Sequence, residues 1–198
     1  MLAMNTPILI LASASPRRAE LLRQLGLEFQ IVPPDLPEVP GGQLSAGEVA
    51  QINAYRKARA VSKKFPDALT LGVDTVVALG NALFGKPATL AEAEKMLLTL
   101  QGKTHLVVTG VCLIHLRAHR QLLFSEQTEV TFRPLTLAQI RRYHAQVNPL
   151  DKAGAYGIQE KGDVLVASIS GSFSNVIGLP LERLEAALAA FTAPSPPP

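Results

Sequence analysis

The sequence predicts a mixed α/β chain of the α+β kind, a twisted mixed sheet flanked by helices. Three observations carry that reading. Apolar strand-like runs alternate with helical segments along most of the chain. Three helical segments open on Ser or Thr followed three residues later by Glu or Gln: Ser45 and Glu48, Thr89 and Glu92, Thr136 and Gln139. The stretch from His105 to Phe132 reads as two long strands joined by a short turn, so part of the sheet is antiparallel.

Each element follows from local chemistry. The run Ile8-Leu9-Ile10-Leu11-Ala12 predicts a buried strand. Ser15 then stands where an N-cap belongs, Pro16 suits the first helical position, and Ala19, Leu21, Leu22 and Leu25 supply an apolar face. Gly26 stops that helix. A short strand is expected over Glu28–Val32, then an irregular loop from Pro33 to Gly42 with four prolines. Ser45 opens a long helix to about Lys64. Leu69–Ala78 is an apolar strand interrupted by Asp74, Gly80-Asn81 turns, and Ala82–Phe84 returns. A helix starts after Thr89 and ends near Gly102. The hairpin strands are His105–Leu116 and Gln121–Phe132. The helix after Thr136 is expected to reach Asn148-Pro149, Val164–Ile169 to be a strand, Gly171–Asn175 a loop, and Leu181–Phe191 a closing helix.

Composition sets the function classes. The 198 residues suit one domain, over 1–191, with a disordered Pro-rich tail at 192–198. A net charge of +3 with scattered lysines and arginines offers no track for nucleic acid, and 5% aromatics offers no stacking platform. Cys112, the only cysteine, lies in an apolar segment and is expected to be a buried structural thiol. No span is apolar enough for a membrane, and Met1–Pro7 lacks the features of a signal peptide. The expectation is a soluble, cytoplasmic protein, with Met4 as an alternative start.

Two features point to chemistry. The first is Arg17-Arg18, directly after the strand-to-helix turn Ser13-Ala14-Ser15-Pro16. Such a turn aims backbone N–H groups and a helix dipole at one point, and a polyphosphate matches that field. Two solvated arginines on a first turn are the commoner case by position, although the dipole disfavours cations there. The second is Asp74 inside Leu71-Gly72-Val73-Asp74-Thr75-Val76-Val77, where a charge is costly unless paired or metal-bound. It is either a site carboxylate or a strand-end aspartate capping a turn.

Around these lie Lys57 on a helix, Glu38 in the Pro-rich loop, and Lys86 in the rigid turn Gly85-Lys86-Pro87. For Lys57 a solvated helical face is the ordinary reading, and an exposed acid at Glu38 would be unremarkable. The four histidines lack metal-ligand spacing. In Asp151-Lys152-Ala153-Gly154-Ala155-Tyr156-Gly157-Ile158-Gln159, small residues around a tyrosine permit backbone approach to a planar ligand, and Gln159 could address a nucleobase edge. The same stretch also fits a tight connection before a strand.

Six segments in register resemble the Maf family of nucleoside triphosphate pyrophosphatases. They are Ser13–Arg18, Lys57-Ala58, Gly72–Thr75, Gly85–Pro87, Asp151–Gln159 and Ser174-Asn175-Val176-Ile177-Gly178-Leu179-Pro180. The resemblance runs from about Ile8 to Leu188. It implies a fold like that of the inosine triphosphate pyrophosphatases, with two lobes and a central cleft, and often a homodimer. It implies hydrolysis of a nucleoside triphosphate to the monophosphate and pyrophosphate with a divalent cation, Mg²⁺ or Mn²⁺. The Asp151–Gln159 segment looks like the branch that prefers dTTP and UTP, with modified pyrimidine nucleotides as further candidates. Removal of non-canonical nucleotides and a link to division arrest also come with the family, as does the rival reading of a nucleotide-binding regulator of septum formation.

Ser13, Arg17, Arg18, Lys57, Thr75, Lys86 and Gln159 are the expected substrate-binding residues, the two arginines and two lysines for their positive charge toward phosphate. Arg17, Thr75 and Gln159 match positions associated with substrate choice. Asp74 is the expected catalytic residue, activating water, and Glu38 and Asp74 the expected metal ligands. At Asn53 the family more often has leucine, a difference expected to touch packing and not chemistry.

Overall fold

The computed structural model of the chain describes residues 7–39 and 41–192. The first apolar run becomes β1 (Leu9–Ala12), buried throughout. Pro16 opens α1 (Pro16–Gln24), which ends before Gly26 at φ 67°. Ser15 holds the cap position, but its side chain caps nothing. Instead its N–H donates to Ser13 Oγ at 3.2 Å. β2 (Phe29–Ile31) follows, and the Pro-rich loop leads to α2 (Ala46–Ser62), where Ser45 and Glu48 close a reciprocal capping box. Next come β3 (Leu69–Leu79), β4 (Ala82–Phe84) and α3 (Leu90–Leu100). The expected hairpin is β5 (Thr104–His115) and β6 (Arg120–Phe132), paired from Thr104↔Thr131 to His115↔Arg120.

The C-terminal third departs from expectation in three places. α4 (Leu137–His144) stops short of Asn148, because the chain turns after it to bury Val147, which prolongs the apolar spacing without prolonging the helix. A short helix, α5 (Gly162–Leu165), replaces the start of the expected strand and turns Leu165 into the core, so β7 begins later (Val166–Ser170). The expected loop at 171–175 contains α6 (Phe173–Ile177), capped by Ser172, whose Oγ accepts from the Asn175 N–H at 3.2 Å. A five-residue helix is too short to show apolar periodicity. α7 (Leu181–Thr192) closes the described chain, so Thr192 is helical, and the rest of the expected disordered tail lies outside the described residues, as does Met4.

Among the described residues the strands form one seven-stranded sheet in the order β2-β1-β3-β5-β6-β7, with β4 on β3. β1 is parallel to β2 and β3, and the remaining pairs are antiparallel, so the expected mixed sheet is present. α2 covers one face, where Val49 and Ala50 meet Val76 and Val108, and Ala54 and Ala58 meet Cys112 and Ile114. The other face carries two separate cores. α1 and α7 pack over Leu11, Leu71, Val73 and Val111. α3 and α4 pack over Val77, Val107, Val130 and Phe132. The two cores part along β3 at Thr75, paired with Thr109 of β5, and this division makes the two lobes.

Candidate active site

A cleft of about 420 Å³ opens where those lobes part. Sheet pairing explains its position. The β1 pairing of β3 ends at Ala12↔Gly72 and the β4 pairing starts at Val77↔Phe84, which leaves Asp74, Thr75 and Val76 to line the cleft along that edge. The cleft brings together every residue expected to act: Ser13, Arg17, Arg18, Glu38, Lys57, Asp74, Thr75, Lys86 and Gln159.

Asp74 is 3% exposed and is not a strand-end cap, being central to its strand. Lys57, reaching across from α2, lies 2.5 Å from its Oδ1 and 3.0 Å from Glu38 Oε1. Two carboxylate oxygens thus converge on one ammonium. Burial pushes the Asp74 carboxyl above the ordinary aspartate range, against the opposing charges of Lys57 and Arg18. Burial would also raise Glu38, but the Lys57 charge and hydrogen bond, with Lys86 and Arg18, hold it below its ordinary value. The two acids are therefore driven apart, one toward a usable base and the other toward a fixed anion.

The paired arginines do different things. Arg17 crosses the cleft from α1 to the other lobe, donating to Asp151 Oδ2 at 2.7 Å and to the Asp151 carbonyl at 3.0 Å. Arg18 turns into the wall, donating from Nε to the Gly178 carbonyl at 3.0 Å, from Nη1 to Ser13 Oγ at 3.1 Å and from Nη2 to Thr75 Oγ1 at 3.0 Å. Burial lowers the Arg18 guanidinium from its ordinary value, opposed by the Asp74 and Glu38 charges. Arg18 thereby ties the first turn to β3 and to the end of α6.

Thr75 has a fixed polarity. Thr109 Oγ1 spends its proton on the Asn175 carbonyl at 3.2 Å, so at 3.0 Å it accepts the Thr75 proton. Arg18 fills one Thr75 lone pair. What Thr75 has left for a ligand is an acceptor.

Sequence reasoning missed Asp151 as the Arg17 partner, Thr109 and Asn175 behind Thr75, and Asn53. The expectation that Asn53 touches only packing does not hold, because its Nδ2 donates to Asp74 Oδ2 at 3.3 Å. A signal was available, since Asn53 is a polar residue on the buried stripe Val49, Ala50, Ala54, Ala58 of α2.

Among the described residues no group of three or more His, Cys, Asp or Glu side chains assembles as a metal cage. The cation-holding candidates are the pair Glu38 and Asp74, joined through Lys57.

The family profile described as Maf-like protein matches residues 8–191, almost the whole described chain. The chain belongs to the Maf family. Curated relatives match over most of their length. A protein of Symbiobacterium thermophilum named dTTP/UTP pyrophosphatase is 48% identical over 186 residues, covering 94% of this chain and 95% of the relative. One of Moorella thermoacetica with the same name is 48% identical over 183 residues, covering 92% and 94%. Among solved structures, a HAM1 protein from Coxiella burnetii superposes with a TM-score of 0.51 at 20% identity, covering 93% of this chain and all of that one. That likeness concerns the fold alone. No helix of the described residues is long and apolar enough to cross a membrane.

Proposed function

We propose that this protein hydrolyses dTTP and UTP to the monophosphate and pyrophosphate. The observation that carries this reading is a buried, base-like Asp74 opening onto a cleft rimmed by Arg17, Lys57 and Lys86. Water attacks the α-phosphorus, its proton passes to Asp74, the bond from that phosphorus to the bridging oxygen breaks, and pyrophosphate leaves. Such a displacement depends on charge neutralisation and alignment more than on covalent help. Arg17, freed from Asp151, together with Lys57 and Lys86, meets phosphate oxygens, while Arg18 and Ser13 hold the wall that shapes their approach.

Glu38 and Asp74 fit a divalent cation, because their oxygens converge on one point that already accommodates a positive charge. Mg²⁺ commonly binds through one or two carboxylates and completes its shell with substrate phosphates and water. When bound, Mg²⁺ or Mn²⁺ supplies neutralisation of the phosphate charge.

Base choice follows from Thr75. An acceptor there matches the N3–H of uracil or thymine and opposes cytosine, whose N3 is itself an acceptor. Gln159, lining the same cleft, offers an amide to the remaining edge. The cytoplasm and a homodimer complete the reading. Both are supported by the family resemblance.

Pyrophosphate release from canonical and modified triphosphates, with Mg²⁺, Mn²⁺ or chelator, tests the reaction, the base preference and the cation. UTP and dTTP should lead, CTP should lag, and chelator should stop release. Asp74→Asn should lower turnover by ~10²-fold or more. Near-normal turnover in a folded Asp74→Asn protein removes Asp74 as the base.

A further inference from the structure

We infer that Asn53 is a positioning residue that sets both carboxylates of the cleft, orienting Asp74 and anchoring the loop that carries Glu38. The inference rests on the hydrolytic reading above and deepens it. Asn53 lies on α2 one helical turn before Lys57, so both side chains leave the same face of the helix. It is 2% exposed and does not line the cleft, so it reaches substrate only through others.

Its amide is fully directed. Oδ1 accepts the Val39 N–H at 2.8 Å, immediately after Glu38 in the chain. Nδ2 donates to Asp74 Oδ2 at 3.3 Å and lies 3.5 Å from the Val39 carbonyl. The partners leave one orientation: a backbone N–H requires an acceptor, and an ionised carboxylate accepts only. Lys57 takes the other Asp74 oxygen, Oδ1. Each oxygen of Asp74 is thus held by one residue of α2, and the carboxylate plane is fixed from two sides. Lys57 contributes charge as well as a hydrogen bond. Asn53 contributes direction alone, and among the described residues it is the side chain that bonds both Asp74 and the backbone of the Glu38 loop, which Arg56 also holds through the Pro37 carbonyl at 2.8 Å.

Two variants separate its two arms. Asn53→Leu fills similar volume but has neither donor nor acceptor. Asn53→Asp keeps an acceptor for the Val39 N–H but sets a second buried carboxylate against Asp74, so the pair shares a proton and Asp74 no longer acts as a free base. Asn53→Leu should lower kcat for UTP about 10- to 100-fold, as loss of a supporting hydrogen bond behind a catalytic or metal-binding group does. The UTP KM should stay within about twofold, since orientation of the reacting groups, not substrate affinity, is lost. The Val39 amide should exchange its hydrogen faster in Asn53→Leu and stay protected in Asn53→Asp, whose kcat should nonetheless fall.

Wild-type kcat in both variants, or a raised KM at unchanged kcat, overturns the inference. Unchanged Val39 exchange in Asn53→Leu overturns the loop arm. Should Asn53→Leu fail to fold, Asn53→Ala carries the same readings in a helix already rich in alanine. If the wild-type protein releases no pyrophosphate, the hydrolytic reading fails, whereas Val39 exchange still decides whether Asn53 holds the loop.

Discussion

Lys57 illustrates how much one side chain settles. A lysine on an amphipathic helix is ordinarily solvated, yet here it sits between Asp74 and Glu38 with its side chain 14% exposed. Its charge opposes the effect of burial on Asp74 and is the first influence that brings Glu38 down. Lys57→Met should therefore raise Asp74 further. A base acts only when ionised, so the acid limb of the kcat/KM profile should move to higher pH in the variant. A pH series with UTP checks this, and a limb that stays put or moves to lower pH counts against Asp74 as the titrating base. Arg17 and Arg18 teach a related lesson. Adjacent in sequence, they point to opposite tasks because helical geometry sends consecutive side chains about 100° apart.

At the scale of elements, the contact of α2 with β3 and β5 decides whether Lys57 and Asn53 can reach Asp74. Gly72 and Gly110 make that contact possible. A Cβ on Gly72 would lie 2.6 Å from the Ala58 backbone nitrogen and closer still to the Ala54 carbonyl. A Cβ on Gly110 would strike the Ala50 carbonyl and lie 2.7 Å from the Gln51 nitrogen. Alanine would ordinarily gain about 0.5–1 kcal/mol over glycine inside a strand. Here the obstacle is helix backbone, which cannot swing aside, so overpacking of about 1–3 kcal/mol wins. Gly72→Ala should lower the denaturant midpoint and, by lifting α2 from the sheet, reduce turnover more than stability alone explains. Unchanged stability would mean that α2 shifts freely, and the registry argued for Asp74 would lose its basis.

At the scale of the molecule, the cleft is the boundary between two cores built on one sheet. The Arg17–Asp151 pair spans it, and Arg18 links β3 to the turn after α6. The lobe containing α3 and α4 has its own titratable feature. His105 is 2% exposed, packs edge-on to Phe132 and Tyr156, and pairs Nε2 with the Tyr156 hydroxyl at 2.9 Å. Burial lowers its pKa from 6.5 to about 4. Between those values the unfolded chain takes up a proton that the folded chain refuses, so stability falls as pH drops from about 6.5 to about 4. The loss approaches roughly 3 kcal/mol. His105→Gln should flatten that dependence in denaturant melts at a series of pH values, and an unchanged slope would show that His105 is not its source.

Much of this protein is written locally. Capping boxes at Ser45 and Thr136, the Thr89 cap, the apolar run of β3, and the turn of the long hairpin are short-range signals, and each yields its element. Most cleft residues were also legible, because Asp74 inside an apolar strand and the six family segments mark them without any coordinates, whereas Glu38 lies in the Pro-rich loop outside those segments. The expectations failed where local signals were weakest or where another part of the chain decided the outcome. α5 and α6 are too short for periodicity, and α4 ends early because Val147 enters the core by a turn. Asn53 looked like a packing substitution because its partners, Asp74 and Val39, are distant in sequence. Thr75 became an acceptor only once Arg18, Thr109 and Asn175 met around it. The sequence by itself determined the long elements and which side chains carry charge or polarity. The tertiary structure alone decided which of those groups face one another, because hydrogen-bond direction and the cost of burying a carboxylate depend on neighbours that only folding brings within a few ångströms.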